Sequence, residues 1–339
     1  MISFICDYSN GVHPKILEEM ANTNDLKTVG YGEDEICLSA KEKIRKVIKK
    51  KDADIYFLCG GTQTNLIAID SLLKPYQGVI SVESGHINVH EAGAIENCGH
   101  KVLTLPSHQG KLSADDLKQY LRDFYDDESY THMVIPGMVY ISYPTEYGTL
   151  YSKSELQSIY EVCKEYHIPF YIDGARLGYG VVAGENSMED IANLCDCFYI
   201  GATKVGGLFG EALVYCQNNT PDYIVNIIKK HGGLLAKGRM LGIQFDALFT
   251  DDLYFSISKH ANDMAKLLKQ ALKDKGYQLV FDNPTNQTFC ILDKQKMQQL
   301  KQKVQFTVWQ KYSETSYIVR FVTDWSTTQK QVEQLIEVL

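Results

Sequence analysis

The chain alternates between two kinds of segment, and that alternation constrains the fold more than any other feature. Residues 55–59, 79–82, 102–105, 133–142, 170–173, 197–200 and 212–215 are short apolar runs that read as strands. Between them, residues 64–73, a stretch near 89–97, a segment opened by Ser113-Ala114-Asp115-Asp116 and residues 152–166 have helical character, with Ser113 as N-cap and acids in the first turn. Short apolar strands joined by helix-length crossovers imply a mostly parallel sheet covered on both faces. The expectation is a three-layer α/β/α large domain with its site at the strand ends. From about Pro221 the pattern changes. Residues 223–230 and 244–273 read as helices, 278–281, 289–292 and 317–322 as strands, and 328–339 as a last helix. The chain therefore divides into an N-terminal arm (1–12), a large α/β domain (13–240) and a smaller C-terminal α+β domain (241–339).

Composition removes several classes of function. The 34 Lys and Arg against 42 Asp and Glu give a net charge of −8, which disfavours a nucleic-acid or anionic-membrane partner. No apolar stretch is long enough to span a bilayer, and the first residues lack the features of a signal peptide. Nine cysteines, an odd number spread along the chain, favour free thiols and a cytoplasmic location over a disulfide framework. Cys195-Asp196-Cys197 lacks the spacer of a zinc or thioredoxin pair, and no metal is expected.

The chemistry concentrates at strand ends. Lys204 follows the 197–200 run in Ala202-Thr203-Lys204-Val205-Gly206-Gly207. An amine in such an apolar, glycine-flanked turn is a usable nucleophile toward an aldehyde. Asp173 ends the 170–173 run, followed by Gly174-Ala175-Arg176. Singly, a lysine after a strand is a solvated loop residue and Asp-Gly is a turn. In this order they form the pattern expected where pyridoxal 5′-phosphate is held by both. Gly60-Gly61-Thr62-Gln63-Thr64 lies between a strand and a helix and suits a phosphate through free N–H groups and the Thr hydroxyls, although a plain βα turn with a Thr cap reads equally well. His86, after the 79–82 strand, could stack on an aromatic cofactor or move a proton, and His90 follows one helical turn later. Arg320 lies inside an apolar strand and needs an anionic partner, either a substrate carboxylate or a local acid. Gly232–Arg239 is a basic, glycine-rich loop that could reach a phosphate or simply enter a helix in solvent. Gly178-Tyr179-Gly180 with Gly184 does not have dinucleotide spacing.

These motifs together resemble the low-specificity threonine aldolases of the β-eliminating-lyase group, enzymes with a pyridoxal-phosphate-dependent transferase-like fold of type I. The resemblance runs from Asp7-Tyr8-Ser9 and Tyr31-Gly32-Glu33-Asp34 through Gly60–Asn65, His86 with Glu91-Ala92-Gly93, Asp173–Arg176 and Thr203-Lys204 to Thr285-Asn286 and Arg320. It implies that Lys204 carries the cofactor covalently, that Asp173 pairs with the pyridine nitrogen, and that His86 stacks on the ring. Gly61, Thr62 and Thr203 would hold the phosphate. Ser9, Arg176 and Arg320 would bind the substrate carboxylate or the cofactor phenolate side. It further implies a homodimer or homotetramer with shared sites, in which Lys237 or Arg239 approaches a neighbour's phosphate. Two departures are visible: Glu146, in Tyr143-Pro144-Thr145-Glu146, stands where typical members carry a histidine, and Thr203 replaces a frequent serine. The expected reaction is cleavage of the Cα–Cβ bond of a β-hydroxy-α-amino acid, threonine or allo-threonine, to glycine and acetaldehyde. Glu146, His86 or a held water would serve as base. β-Elimination, transamination or a non-catalytic cofactor-binding role are the alternatives.

Overall fold

The computed structural model describes all 339 residues. Its strands are β1 (Ile2–Ser3), β2 (Asp54–Leu58), β3 (Gln77–Val82), β4 (Val102–Leu105), β5 (Ile135–Ser142), β6 (Phe170–Asp173), β7 (Cys197–Gly201), β8 (Glu211–Tyr215), β9 (Gln287–Asp293), β10 (Val304–Gln305), β11 (Thr307–Lys311) and β12 (Ser316–Val322). Its helices are α1 (Pro14–Asn22), α2 (Glu35–Ile48), α3 (Gly61–Leu72), α4 (His86–Val89), α5 (Ala94–Asn97), α6 (Ala114–Asp126), α7 (Lys153–Glu165), α8 (Leu177–Ala183), α9 (Met188–Asn193), α10 (Ile224–Lys230), α11 (Arg239–Leu248), α12 (Leu253–Asp274), α13 (Lys294–Lys301) and α14 (Gln329–Val338). No helix is long and apolar enough to cross a membrane.

Seven strands form the main sheet in the order β2-β8-β7-β6-β5-β3-β4. It is parallel except for β8, which runs antiparallel to both β2 and β7. The mostly parallel α/β architecture read from the sequence is therefore present. Side chains alternate across the sheet as the pleat requires. Val139 and Ile141 of β5 enter one apolar cluster, while Met138 and Tyr140 enter the cluster on the other face. A second sheet, β11-β12-β9, is antiparallel, and β1 pairs in parallel with β10.

Helix starts follow local chemistry. Asp34 caps α2 by accepting from Ile36 N and Cys37 N, and Ser113 caps α6. Ser152 and Thr328 form capping boxes on α7 and α14. Three sequence expectations need correction. The helical stretch near 89–97 is broken into α4 and α5, because Ala92 and Gly93 adopt positive φ (50° and 73°) between them. The 244–273 helix is two helices, interrupted where Asp251 and Asp252 take φ of 51° and 55°. Residues 278–281 form no strand; a single bridge joins Leu279 to Cys290.

One large apolar cluster extends to Ala261, in the first half of α12. A smaller cluster gathers Met264, Leu268 and Leu272 with β9, β12 and α14 residues. The two meet inside α12, and Phe4 packs with the smaller one, its N–H donating to Gln305 O at 2.8 Å. Close approach at the site end of the sheet depends on two glycines. A Cβ on Gly174 would strike the Tyr199 carbonyl, and one on Gly201 would strike the Ala175 backbone. Those glycines let the ends of β6 and β7 lie side by side, which brings Asp173 and Lys204 into one site.

Candidate active site

The carboxyl ends of β3, β5, β6 and β7 surround a cavity lined by Gly61, His86, Glu146, Asp173, Arg176 and Lys204, among others. It adjoins a cleft of 660 Å³ that shares His86, Glu146, Arg176 and Lys204 and adds Tyr8, Trp309 and Arg320 from the N-terminal segment and the small sheet. Side chains separated by more than 300 positions thus converge where parallel strands end, the usual place for a site in an open α/β sheet.

Asp173 is buried at the end of β6. Its Oδ2 accepts from Asn65 Nδ2 (2.9 Å) and Tyr140 OH (2.8 Å), and its Oδ1 from Ala175 N (3.0 Å). Burial alone would raise the carboxyl, but the His86 charge and the Ala175 and Asn65 bonds, among others, outweigh it and hold Asp173 below the ordinary carboxylate range. It is a fixed anion in a dry floor. Asn65 links it to a second pair: Asn65 Nδ2 also donates to Glu91 Oε1 (2.7 Å), and that oxygen also meets His86 Nδ1 (2.7 Å). Burial would lower the His86 value, yet the Glu91 bond and the Glu146 and Asp173 charges raise it. The bond to Glu91 fixes the orientation of an imidazole that lines both cavities.

Lys204 is half-buried after β7 and lines both cavities. No carboxylate lies within ion-pairing distance of it. The Tyr179 hydroxyl donates to the Lys204 carbonyl and ties down its backbone. Thr203, one residue earlier, accepts from Gly210 N (3.0 Å) and bonds to Glu211 Oε1 (2.9 Å). Gly61 opens α3, and Thr62 is exposed in that helix's first turn. The Thr64 hydroxyl is spent on Gly60 O (3.0 Å).

Two arginines differ in how much of each is spent. Arg176 makes a bidentate pair with Asp7, Nε to Oδ2 at 2.7 Å and Nη2 to Oδ1 at 2.9 Å. Burial would lower the Arg176 value, but Asp7 raises it; Asp7 in turn is held low against its own burial by Arg176. Arg320 donates to Gln287 Oε1 (3.1 Å) and lies over the Trp309 ring (4.9 Å), while its buried Nε has no partner. Burial and the nearby Arg176 charge lower its value. An anion in the cleft would relieve both effects. Glu146 also faces the cleft, with Oε1 accepting from Ser142 Oγ at 2.8 Å.

The structure therefore brings together Gly61, His86, Glu146, Asp173, Arg176, Lys204 and Arg320, with Thr62 and Thr203 on the adjoining turns. Ser9 is not among the residues lining the cleft. It is exposed, its hydroxyl bonded to Cys6 O at 3.3 Å, and the neighbouring Tyr8 takes the wall position. Arg239 does not line the cavity of its own chain: its guanidinium donates to the Thr23, Asn24 and Leu26 carbonyls beyond α1. Lys237 is exposed. Sequence reasoning assigned no role to Asn65, Glu91, Tyr140, Tyr199 or Glu211. Asn65 and Glu91 stand within the motifs that carried the resemblance; the others look like ordinary strand residues.

Residues 4–295 match the family described as beta-eliminating lyase. A low specificity L-threonine aldolase from a Pseudomonas strain is 29% identical over 341 residues, covering 98% of this chain and 95% of that one. A Candida albicans low-specificity L-threonine aldolase is 26% identical over 78% of this chain and 69% of its own length. The solved threonine aldolase of Leishmania major superposes with a TM-score of 0.96 at 42% identity, covering 100% of this chain and 98% of that one. A putative L-allo-threonine aldolase from Listeria monocytogenes shares the fold, with a TM-score of 0.77 at 20% identity, covering 100% and 95%.

Proposed function

The chain belongs to the beta-eliminating lyase family of pyridoxal 5′-phosphate enzymes, and on that premise we propose that it splits the Cα–Cβ bond of threonine or allo-threonine into glycine and acetaldehyde. The observation that carries this reading is the shared cavity of Lys204 and Asp173, one strand apart, with His86 and Gly61 on its walls.

The residues fit the cofactor. A buried, ionised Asp173 suits a protonated pyridine nitrogen. The open first turn of α3, with Gly61 and Thr62, suits a phosphate. The unpartnered Arg320 Nε suits a substrate carboxylate. When bound, pyridoxal phosphate supplies a conjugated cationic ring that takes up the electrons of the broken bond. Lys204 would anchor it, and His86, oriented by Glu91, would pack against it. Arg320, backed by Arg176 on Asp7, holds the carboxylate and so fixes which Cα bond stands ready to break. Glu146 takes the proton from the β-hydroxyl, with Ser142 directing its Oε1. Thr203 would add a phosphate contact from the turn before Lys204.

We also infer a cytoplasmic homodimer or homotetramer acting on a free amino acid. Nine free thiols suit a reducing compartment. Leu17, Leu26, Val29 and Tyr31, exposed around α1 and the turn before α2, suit burial against a second copy. Lys237 is then free to approach a neighbour's site.

Lys204→Ala is the direct test. With L-threonine it should lose the borohydride-reducible cofactor adduct and release no acetaldehyde. Normal turnover in that variant would sink the assignment. Pyruvate instead of acetaldehyde and glycine, from the unmodified enzyme, would favour β-elimination.

A further inference from the structure

Glu211 opens β8, the antiparallel strand, directly behind Thr203 and Lys204. It is 3% exposed. One oxygen meets the Thr203 hydroxyl at 2.9 Å, and the other, Oε2, is buried with no partner. The Thr203 oxygen already accepts from Gly210 N at 3.0 Å. A hydroxyl has one hydrogen and two lone pairs, so these contacts can be counted. If Glu211 is ionised, the Thr203 hydrogen must go to it. The threonine then has no donor left for a phosphate, and a buried anion stands behind the phosphate position. If Glu211 carries a proton, it donates to Thr203, Gly210 N fills the second lone pair, and the Thr203 hydrogen is freed for another acceptor, the Gly210 carbonyl being a long 3.5 Å away.

We propose that Glu211 is protonated beneath Thr203 and, by donating to the threonine hydroxyl, turns that hydroxyl's own hydrogen toward the cofactor phosphate, so that phosphate binding and Glu211 protonation are linked. This rests on the reading that Thr203 touches the phosphate. The charged and titratable groups facing Glu211 are Lys204, Asp173, Tyr199 and Tyr254. Burial is the main effect and Asp173 adds to it, while Lys204 and the Thr203 bond oppose; the carboxyl is pushed up to about 8. Glu211 is a positioning residue: it acts on the cofactor through Thr203.

The test uses apoenzyme and pyridoxine 5′-phosphate, which has the phosphate but no aldehyde to react with Lys204. Affinity is measured against pH for the wild type, Glu211→Gln and Thr203→Val. The Gln amide donates to Thr203 at every pH. Above about 8, the wild type should lose up to about tenfold in affinity per pH unit relative to Glu211→Gln, because one proton is linked to binding. Equal slopes in the two proteins would overturn the proposal. Thr203→Val should bind more weakly and follow no Glu211-dependent slope. If it binds as tightly as the wild type, the placement of Thr203 on the phosphate fails, and the proposal with it. Should Glu211→Gln not fold, calorimetry of the wild type with inorganic phosphate in buffers of different ionisation enthalpy decides. Proton uptake appearing as the pH rises toward 8 supports the link, and none overturns it.

Discussion

Asp173 and Glu211 are both 3% exposed, and only β7 separates their strands, yet their surroundings push them in opposite directions, Asp173 down and Glu211 up to about 8. Asp173 ends a parallel strand where a helix start, a tyrosine and a turn N–H all point donors at it. Glu211 begins the one antiparallel strand of the main sheet and receives one hydroxyl, with an oxygen left over. Burial raises both carboxyls; the His86 charge and several donors overcome it at Asp173, while the Lys204 charge and a single hydroxyl do not at Glu211. The anion is kept where a cationic ring nitrogen would sit, and the neutral acid behind the place where a phosphate would sit. Both choices suit a cofactor that is positive at one end and negative at the other.

The largest test of that contrast is Asp173→Asn. Removing a preorganised charge should lower kcat for threonine by about 10²–10³-fold, with folding retained. A steady-state assay showing less than a tenfold loss would break the electrostatic reading of β6. Next comes Arg320→Gln. The same accounting of spent and unspent partners leaves its buried Nε waiting for a carboxylate. KM should rise about 10- to 100-fold, with kcat less affected, because a charge-assisted bond is worth about 1.5–3 kcal/mol.

Stability against pH separates the two carboxyls by sign. The Asp173 contribution is present above the ordinary value of 3.8 and is lost as pH falls through its depressed folded value. That of Glu211 is complete below 4.5 and is lost as pH climbs toward about 8. Glu211→Gln should therefore stabilise the apoenzyme near pH 8 by about 1–3 kcal/mol in denaturant unfolding, with the gain vanishing below 4.5. A constant difference at every pH would contradict it. The smallest effect belongs to Arg239→Gln. An arginine spent on three carbonyls should cost about 1 kcal/mol when removed, seen as a Tm drop of a few degrees. A loss of cofactor affinity much larger than that would instead place Arg239 at a site in the assembly.

Much of this molecule was legible beforehand because its signals are local. Apolar runs of strand length gave all seven strands of the main sheet. Strand-end Lys204, Asp173 and His86 stood out only together, because each alone has an ordinary structural use. The breaks at 92–93 and 251–252 were missed because residues such as Ala92, Asp251 and Asp252 adopt positive φ under tertiary demand, which propensity does not report. The pairing of Asp7 with Arg176, 169 positions apart, was equally silent.

By itself, the sequence determined which segments are strands and which residue types wait at their ends, since periodicity and chemistry are carried by neighbours along the chain. Tertiary structure alone decided the antiparallel insertion of β8, and with it the place of Glu211. It also decided how many donors reach each buried carboxyl. Hydrogen-bond counts and desolvation depend on groups brought together from distant positions, and no local pattern records them.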